Sequence, residues 1–139
     1  MKRDVRLHGL SSEHHHALVL ARDLRASASA WTEVDGARLG ERFERELEPH
    51  FRIEEEVLLP ALARIGQTPL VQRVEREHST LRALLGSARA GVGDAARDMA
   101  IALEEHVRFE ERELFSACEA LLDTATLDEV ARRSPKPQH

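Results

Sequence analysis

The sequence predicts an all-α protein: an up-down antiparallel four-helix bundle with a short C-terminal helical turn. Three observations carry that expectation. Ala, Leu, Arg and Glu dominate the 139 residues and β-branched runs are few, which favours helix throughout. Helix-start and helix-stop signals divide the chain into four long blocks. Each block has a single apolar seam at steps of three and four residues, the pattern of a helix with one buried face. A composition of 42% apolar and 32% charged residues suits one globular domain, taken as residues 1–134, with a disordered tail at 135–139.

The blocks follow in order. Ser11 or Ser12 caps a first helix running to about Trp31, and "TEVDG" follows as a loop. The second helix spans about Ala37 to Ile65 and stops at Gly66, with Pro49 and Pro60 inside it as kink sites. Thr68 and Pro69 serve as N-cap and first residue of a third helix, which fades at "AGVG". Asp94 caps a fourth, reaching about Leu122, and "TLDE" at 126–129 forms a capping box for the terminal turn. The seams read Leu10, His14, Ala17, Ala21, Leu24; Phe43, Leu47, His50, Glu54, Leu58, Ala61; Val71, Val74, His78, Leu81, Leu85, Ala88, Val92; and Met99, Leu103, His106, Glu110, Leu114, Ala117, Leu121.

Every seam is interrupted at one level by histidine, and two of them by histidine plus glutamate. Unpaired imidazole or carboxylate at a core position is costly, so the interruption calls for a partner. Residues four apart on a helix lie about 5–6 Å from each other on one face. His50 with Glu54, and His106 with Glu110, therefore reach a common point inside the bundle. The two stretches repeat one another: "HFRIEEEVLLPA" from His50 and "HVRFEERELFSA" from His106 share His, Arg, Glu-Glu, Leu and Ala at equivalent places. In "EHHH" the seam favours His14, and His15 is the alternative ligand or a residue at the mouth of the site. Glu55, Glu56, Glu111 and Glu113 are expected on the solvent face, with His8 and His139 exposed near the termini.

Other chemistry is limited by what the chain carries. One cysteine, Cys118, allows neither an internal disulfide nor a thiolate zinc cluster and is expected in the core. A net charge of −5 with acids and bases interspersed offers no basic patch for nucleic acid. No window approaches the ~18 apolar residues of a membrane span. The N-terminus turns polar where a signal peptide would be apolar, so the cytoplasm is the expected compartment. Tyrosine is absent, which removes the usual radical partner of redox sites. Imidazole and carboxylate without thiolate suit iron, manganese or zinc. A ferritin-like site needs a Glu-x-x-His pair on each of two helices, and only Glu75 with His78 offers one.

The segments "SSEHHHALVLA", "HFRIEEEVLLPAL", "EHSTLRALL" and "HVRFEERELF" resemble the hemerythrin-like, or HHE cation-binding, family over about residues 10 to 122. The resemblance implies a bundle holding a non-haem centre of two iron ions, with manganese or zinc as substitutes. It implies His14, His50, His78 and His106 as terminal ligands and Glu54 and Glu110 as bridges. Oxygen-carrying members place a second histidine four residues after the third-helix one, where this chain has Arg82. The fourth-helix carboxylate also comes at four residues rather than five. Both departures point towards the members tied to oxygen, nitric oxide or iron sensing and redox protection, with a diatomic or peroxide ligand and no specified protein partner. A di-iron enzyme (oxidase, peroxidase or iron-repair donor) and a metal-free interaction bundle are the competing readings.

Overall fold

A computed structural model describes residues 3–134; the tail expected at 135–139, and His139 with it, lies outside the described residues. All regular structure among those residues is helical. A 3₁₀ turn at Val5–Leu7, capped by the Asp4 carboxylate on Arg6 N–H, leads directly into α1, His8–Ser27. The helix thus starts before Ser11 and Ser12, whose hydroxyls bond Glu111 and the Gly9 carbonyl instead of capping it. A second 3₁₀ turn, Ala28–Ala30, ends this stretch short of Trp31.

The stretch read as a loop is a helix start. Thr32 and Asp35 form a capping box that opens α2, Glu33–Glu46, earlier than Ala37. The predicted second helix continues as α3 (Glu48–Ile53), a π-helical turn (Glu54–Leu58) and α4 (Leu59–Arg64). Pro49 and Pro60 sit in the first turns of α3 and α4, each just after an interruption of the regular α-helical ladder. Gly66, with φ +82°, reverses the chain after α4. Next come α5 (Thr68–Arg89), whose N-cap is Gln67, and α6 (Gly93–Phe109), whose N-cap is Val92 rather than Asp94. A second π-turn (Glu110–Leu114) joins α6 to α7 (Phe115–Leu121). The terminal element, α8, is a ten-residue helix, Thr124–Arg133, capped by Asp123 rather than by Thr126.

Both π-turns answer a register problem. His50, Glu54, Leu58 and Leu62 are buried at uniform steps of four, and so are His106, Glu110, Leu114 and Cys118. On a regular α-helix each such step rotates a side chain about 40° beyond a full turn, so three steps carry it roughly 120° around. A wider turn absorbs that drift and keeps the row facing inward. The seam read with a three-residue step after Leu114 is accordingly corrected: Ala117 is only partly buried and Leu121 is 47% exposed, while Cys118 is fully buried. Val92, at the end of the third seam, is also exposed.

Two apolar clusters result. One gathers Ala17, Leu20, Leu24, Phe43, Leu47, Phe51, Leu81, Leu85, Met99 and Leu103. The other gathers Leu10, Ile53, Leu58, Leu62, Val74, Leu114, Phe115, Cys118, Leu127 and Val130. The six buried polar side chains, His14, His50, Glu54, His78, His106 and Glu110, lie along each stretch between members of the two clusters. α1 packs on α6, α6 on α5, and α5 on α2. α8 covers the first π-turn.

Close helix approach depends on glycine at two places. A Cβ on Gly36 would meet the Ala88 carbonyl at 2.6 Å, and one on Gly93 would meet the Ala28 carbonyl at 2.6 Å. Gly86, inside α5, faces open space. Gly36→Ala is therefore expected to destabilise the protein by about 1–3 kcal/mol. Gly86→Ala should stabilise it by about 0.5–1 kcal/mol, since alanine restricts the unfolded chain at no steric cost. Chemical denaturation of the two variants checks both signs.

Candidate metal centre

The polar layer is assembled from α1, α3, the two π-turns, α5 and α6. His14 comes from α1, His50 from α3, His78 from α5 and His106 from α6. Glu54 and Glu110 are the first residues of the two π-turns. All four Nε2 atoms face the two carboxylates. His14 Nε2 lies 2.8 Å and His50 Nε2 3.3 Å from Glu110 Oε1. His78 Nε2 lies 3.0 Å from Glu54 Oε1, and His106 Nε2 3.1 Å from Glu110 Oε2. Two phenylalanines seat two of the rings: Phe51 stacks on His78 at 3.9 Å between centroids, and Phe115 on His14 at 5.2 Å.

The four Nδ1 atoms face outward, each to its own carboxylate. His14 Nδ1 is 3.0 Å from Glu111, His50 Nδ1 3.1 Å from Glu13, His78 Nδ1 2.6 Å from Glu55, and His106 Nδ1 2.6 Å from Glu77. The pairing is cyclic. Each stretch supplies a carboxylate to the histidine of the next: Glu13 to His50, Glu55 to His78, Glu77 to His106, Glu111 to His14. Nδ1–H donated outward would leave each Nε2, once deprotonated, with its lone pair aimed at the centre, the form a metal ligand requires.

This outer ring corrects the sequence reading of Glu55 and Glu111 as simply solvent-facing; Glu56 and Glu113 are indeed exposed. Glu13 and Glu77 were missed as well. Their signal was present in the duplication, where Glu-His occurs at 13–14 and 77–78 and Glu-Glu at 54–55 and 110–111. His14 is buried and joins the cluster, whereas His15 is exposed with its ring near His16. His8 is half-buried and bonds the Arg3 carbonyl. Arg82, at the position of the missing fifth histidine, is turned to Glu48 and Glu55. Cys118 is buried beneath the layer, its thiol pKa pushed up by burial and by Glu54 and Glu110.

Charge in the layer is strongly coupled. Burial alone would lower the imidazole pKa values, but the inner and outer carboxylates raise all four, His50 well above its usual value and His106 to about 10. Burial works to raise Glu110, yet His106, Glu54 and His14 hold it well below the usual carboxylate range. Glu55, despite its own burial, is held at about 2 by His78 and Arg82.

The residues fit a cation better than they fit one another. Glu54 Oε2, His106 Nε2 and Glu110 Oε2 are buried without a well-directed hydrogen bond: His50 Nε2 approaches Glu54 Oε2 at 3.0 Å and His106 Nε2 approaches Glu110 Oε2 at 3.1 Å, as ion-pair contacts only. Two donor groups converge: His14, His50, Glu54 and Glu110 form one, and Glu54, His78, His106 and Glu110 the other, with the atoms of each group within 4.8 Å of one another. Glu54 and Glu110 belong to both. Imidazole and carboxylate donors without sulfur suit iron, manganese or zinc.

Metal binding must displace protons from imidazoles whose pKa values are raised. Protons are expected to be released on loading, and affinity to tighten as pH rises above the usual imidazole range and to go on tightening towards the His106 value of about 10. Calorimetry in buffers of different ionisation enthalpy measures that release. Glu111→Ala should weaken metal binding roughly ten- to hundredfold by freeing His14, as read by chelator competition.

Comparison with curated proteins and with solved structures found no match. A family model, the hemerythrin HHE cation binding domain, matches residues 5–118, a span containing all four histidines, both inner carboxylates and the whole outer ring. The chain belongs to the hemerythrin HHE cation-binding family.

Proposed function

We propose that the protein is a non-haem di-iron protein that binds or reacts with a small ligand (oxygen, nitric oxide or peroxide) in sensing, redox protection or iron handling in the cytoplasm. The observation that carries this reading is the pair of buried donor groups sharing Glu54 and Glu110, with three of their atoms left without a well-directed hydrogen bond. The reading takes the chain as an up-down antiparallel four-helix bundle, counting Glu33–Arg64 and Gly93–Leu121 as one rod each. His14 and His50 would hold one ion, His78 and His106 the other, and Glu54 and Glu110 both. Four donors per ion is fewer than the roughly six of an octahedral site, which leaves room for an exogenous ligand.

The bound ions would supply open coordination positions and electrons for a diatomic or peroxide ligand. The chain's own residues do the rest. The inner carboxylates balance the ions' charge, the outer carboxylates orient the imidazoles, and Phe51 and Phe115 exclude water. Ligand size is limited by the space available. The internal gap lined by His14, His50, Phe51, His106 and Glu110 is about 10 Å³, near the minimum for a single water. A cleft of about 610 Å³ is bounded by Glu55 and Arg82 and is not lined by any of the six inner residues. A small ligand fits this arrangement better than an organic substrate.

Protein from iron-replete cells is expected to carry about two irons per chain, with a ferric charge-transfer absorption, and Glu54→Ala to carry one or none. Chelation should lower the thermal midpoint markedly, because six buried polar groups lose their common partner. Protein with neither iron nor that absorption, whose melting ignores chelator, would rule the reading out.

A further inference from the structure

The outer ring is cyclic in its pairing but uneven in how its carboxylates are held. On the side of His78 and His106, each is gripped by an arginine. Arg82 reaches both oxygens of Glu55, at 2.6 and 3.1 Å, and is itself anchored on Glu48. Arg73 Nε lies 3.0 Å from Glu77, with its guanidinium 3.9 Å over the Phe109 ring. On the side of His14 and His50 no such grip exists among the described residues. Glu13 has His50 as its partner at 3.1 Å, and Glu111 takes the Ser11 hydroxyl. Arg3 comes no nearer than 3.9 Å to the Glu111 carboxylate, being engaged with Glu119 and the Glu111 backbone carbonyl.

The imidazole bonds follow the same division: 2.6 Å to each arginine-held carboxylate, against 3.0 and 3.1 Å to the others. Two effects of the arginines oppose each other. Their positive charge disfavours a nearby cation, but both side chains are a third or more exposed, so solvent screens it. Their grip fixes the carboxylate, and through it the imidazole, before any ion arrives, which removes an ordering cost from binding. The second effect is the larger.

We propose that Arg73 and Arg82 are positioning residues that make the ion position between His78 and His106 the firmer of the two, filled first and emptied last. The inference rests on the two-ion reading above and adds an order to it.

Titration of the full metal-free chain with cobalt(II), followed by its visible absorption, tests the proposal. Wild type is expected to bind in two resolved steps. Arg73→Gln and Arg82→Gln should each weaken the tighter step roughly tenfold and leave the weaker one in place. Arg82→Lys keeps the charge and loses the fork that spans both oxygens, so it should behave as Arg82→Gln does. Equal affinities in wild type, variants that shift both steps together or neither, or a lysine variant indistinguishable from wild type would each overturn the proposal while two ions still bind. A wild-type chain that binds no cobalt would overturn the two-ion reading itself. Thermal melts of the metal-free variants separate a general loss of stability from a change confined to one step.

Discussion

Glu54 and Glu110 have no solvent exposure at all, and the rest of the molecule is organised around that burial. An ionised carboxylate in an apolar interior is tolerated only when it is paired and hydrogen-bonded. Four imidazoles meet the pair from four separate stretches of chain, and four further carboxylates meet the imidazoles from outside. The layer divides the apolar core into two clusters, so the grease on either side also seals the charge from water. Neither part stands alone. Without the apolar clusters the layer would be hydrated, and without a cation several of its atoms remain unsatisfied.

Helix geometry is bent to this need. A row of side chains spaced uniformly by four cannot stay on one face of a regular α-helix, and both carboxylate-bearing rows are so spaced. The π-turns begin at Glu54 and Glu110 themselves, at the point where the row must continue inward. Widening the turn weakens local helix geometry, and the buried leucines and phenylalanine that follow offset it through packing. The prolines agree with this arrangement, since each stands just after a point where the regular α-helical ladder is interrupted.

Much of the site was legible because buried polar residues disturb an apolar pattern. His14, His50, His78, His106, Glu54 and Glu110 all occupy seam positions and all prove buried together. The outer ring was not legible by that method. Glu55 and Glu111 lie one residue off the seam, so a periodicity argument assigns them to solvent. Their actual partners, His78 and His14, are on other helices, at sequence separations of 23 and 97 residues. Helix starts were misread for a related reason. Leu7, Gln67, Val92 and Asp123 stand at the N-caps where composition pointed to Ser11 or Ser12, Thr68, Asp94 and Thr126, and of these four only Asp123 caps with its side chain.

The sequence by itself determined the helical class, the six inner polar residues and the duplicated His-to-Ala segment, because these can be read along one chain. Only the tertiary structure decided the cyclic pairing of the outer carboxylates, the exposure of His15, the π-turns and the uneven grip of Arg73 and Arg82. Those features depend on which side chains meet across helices. Contact between distant segments is set by packing angle and depth, and no local pattern of residues records either.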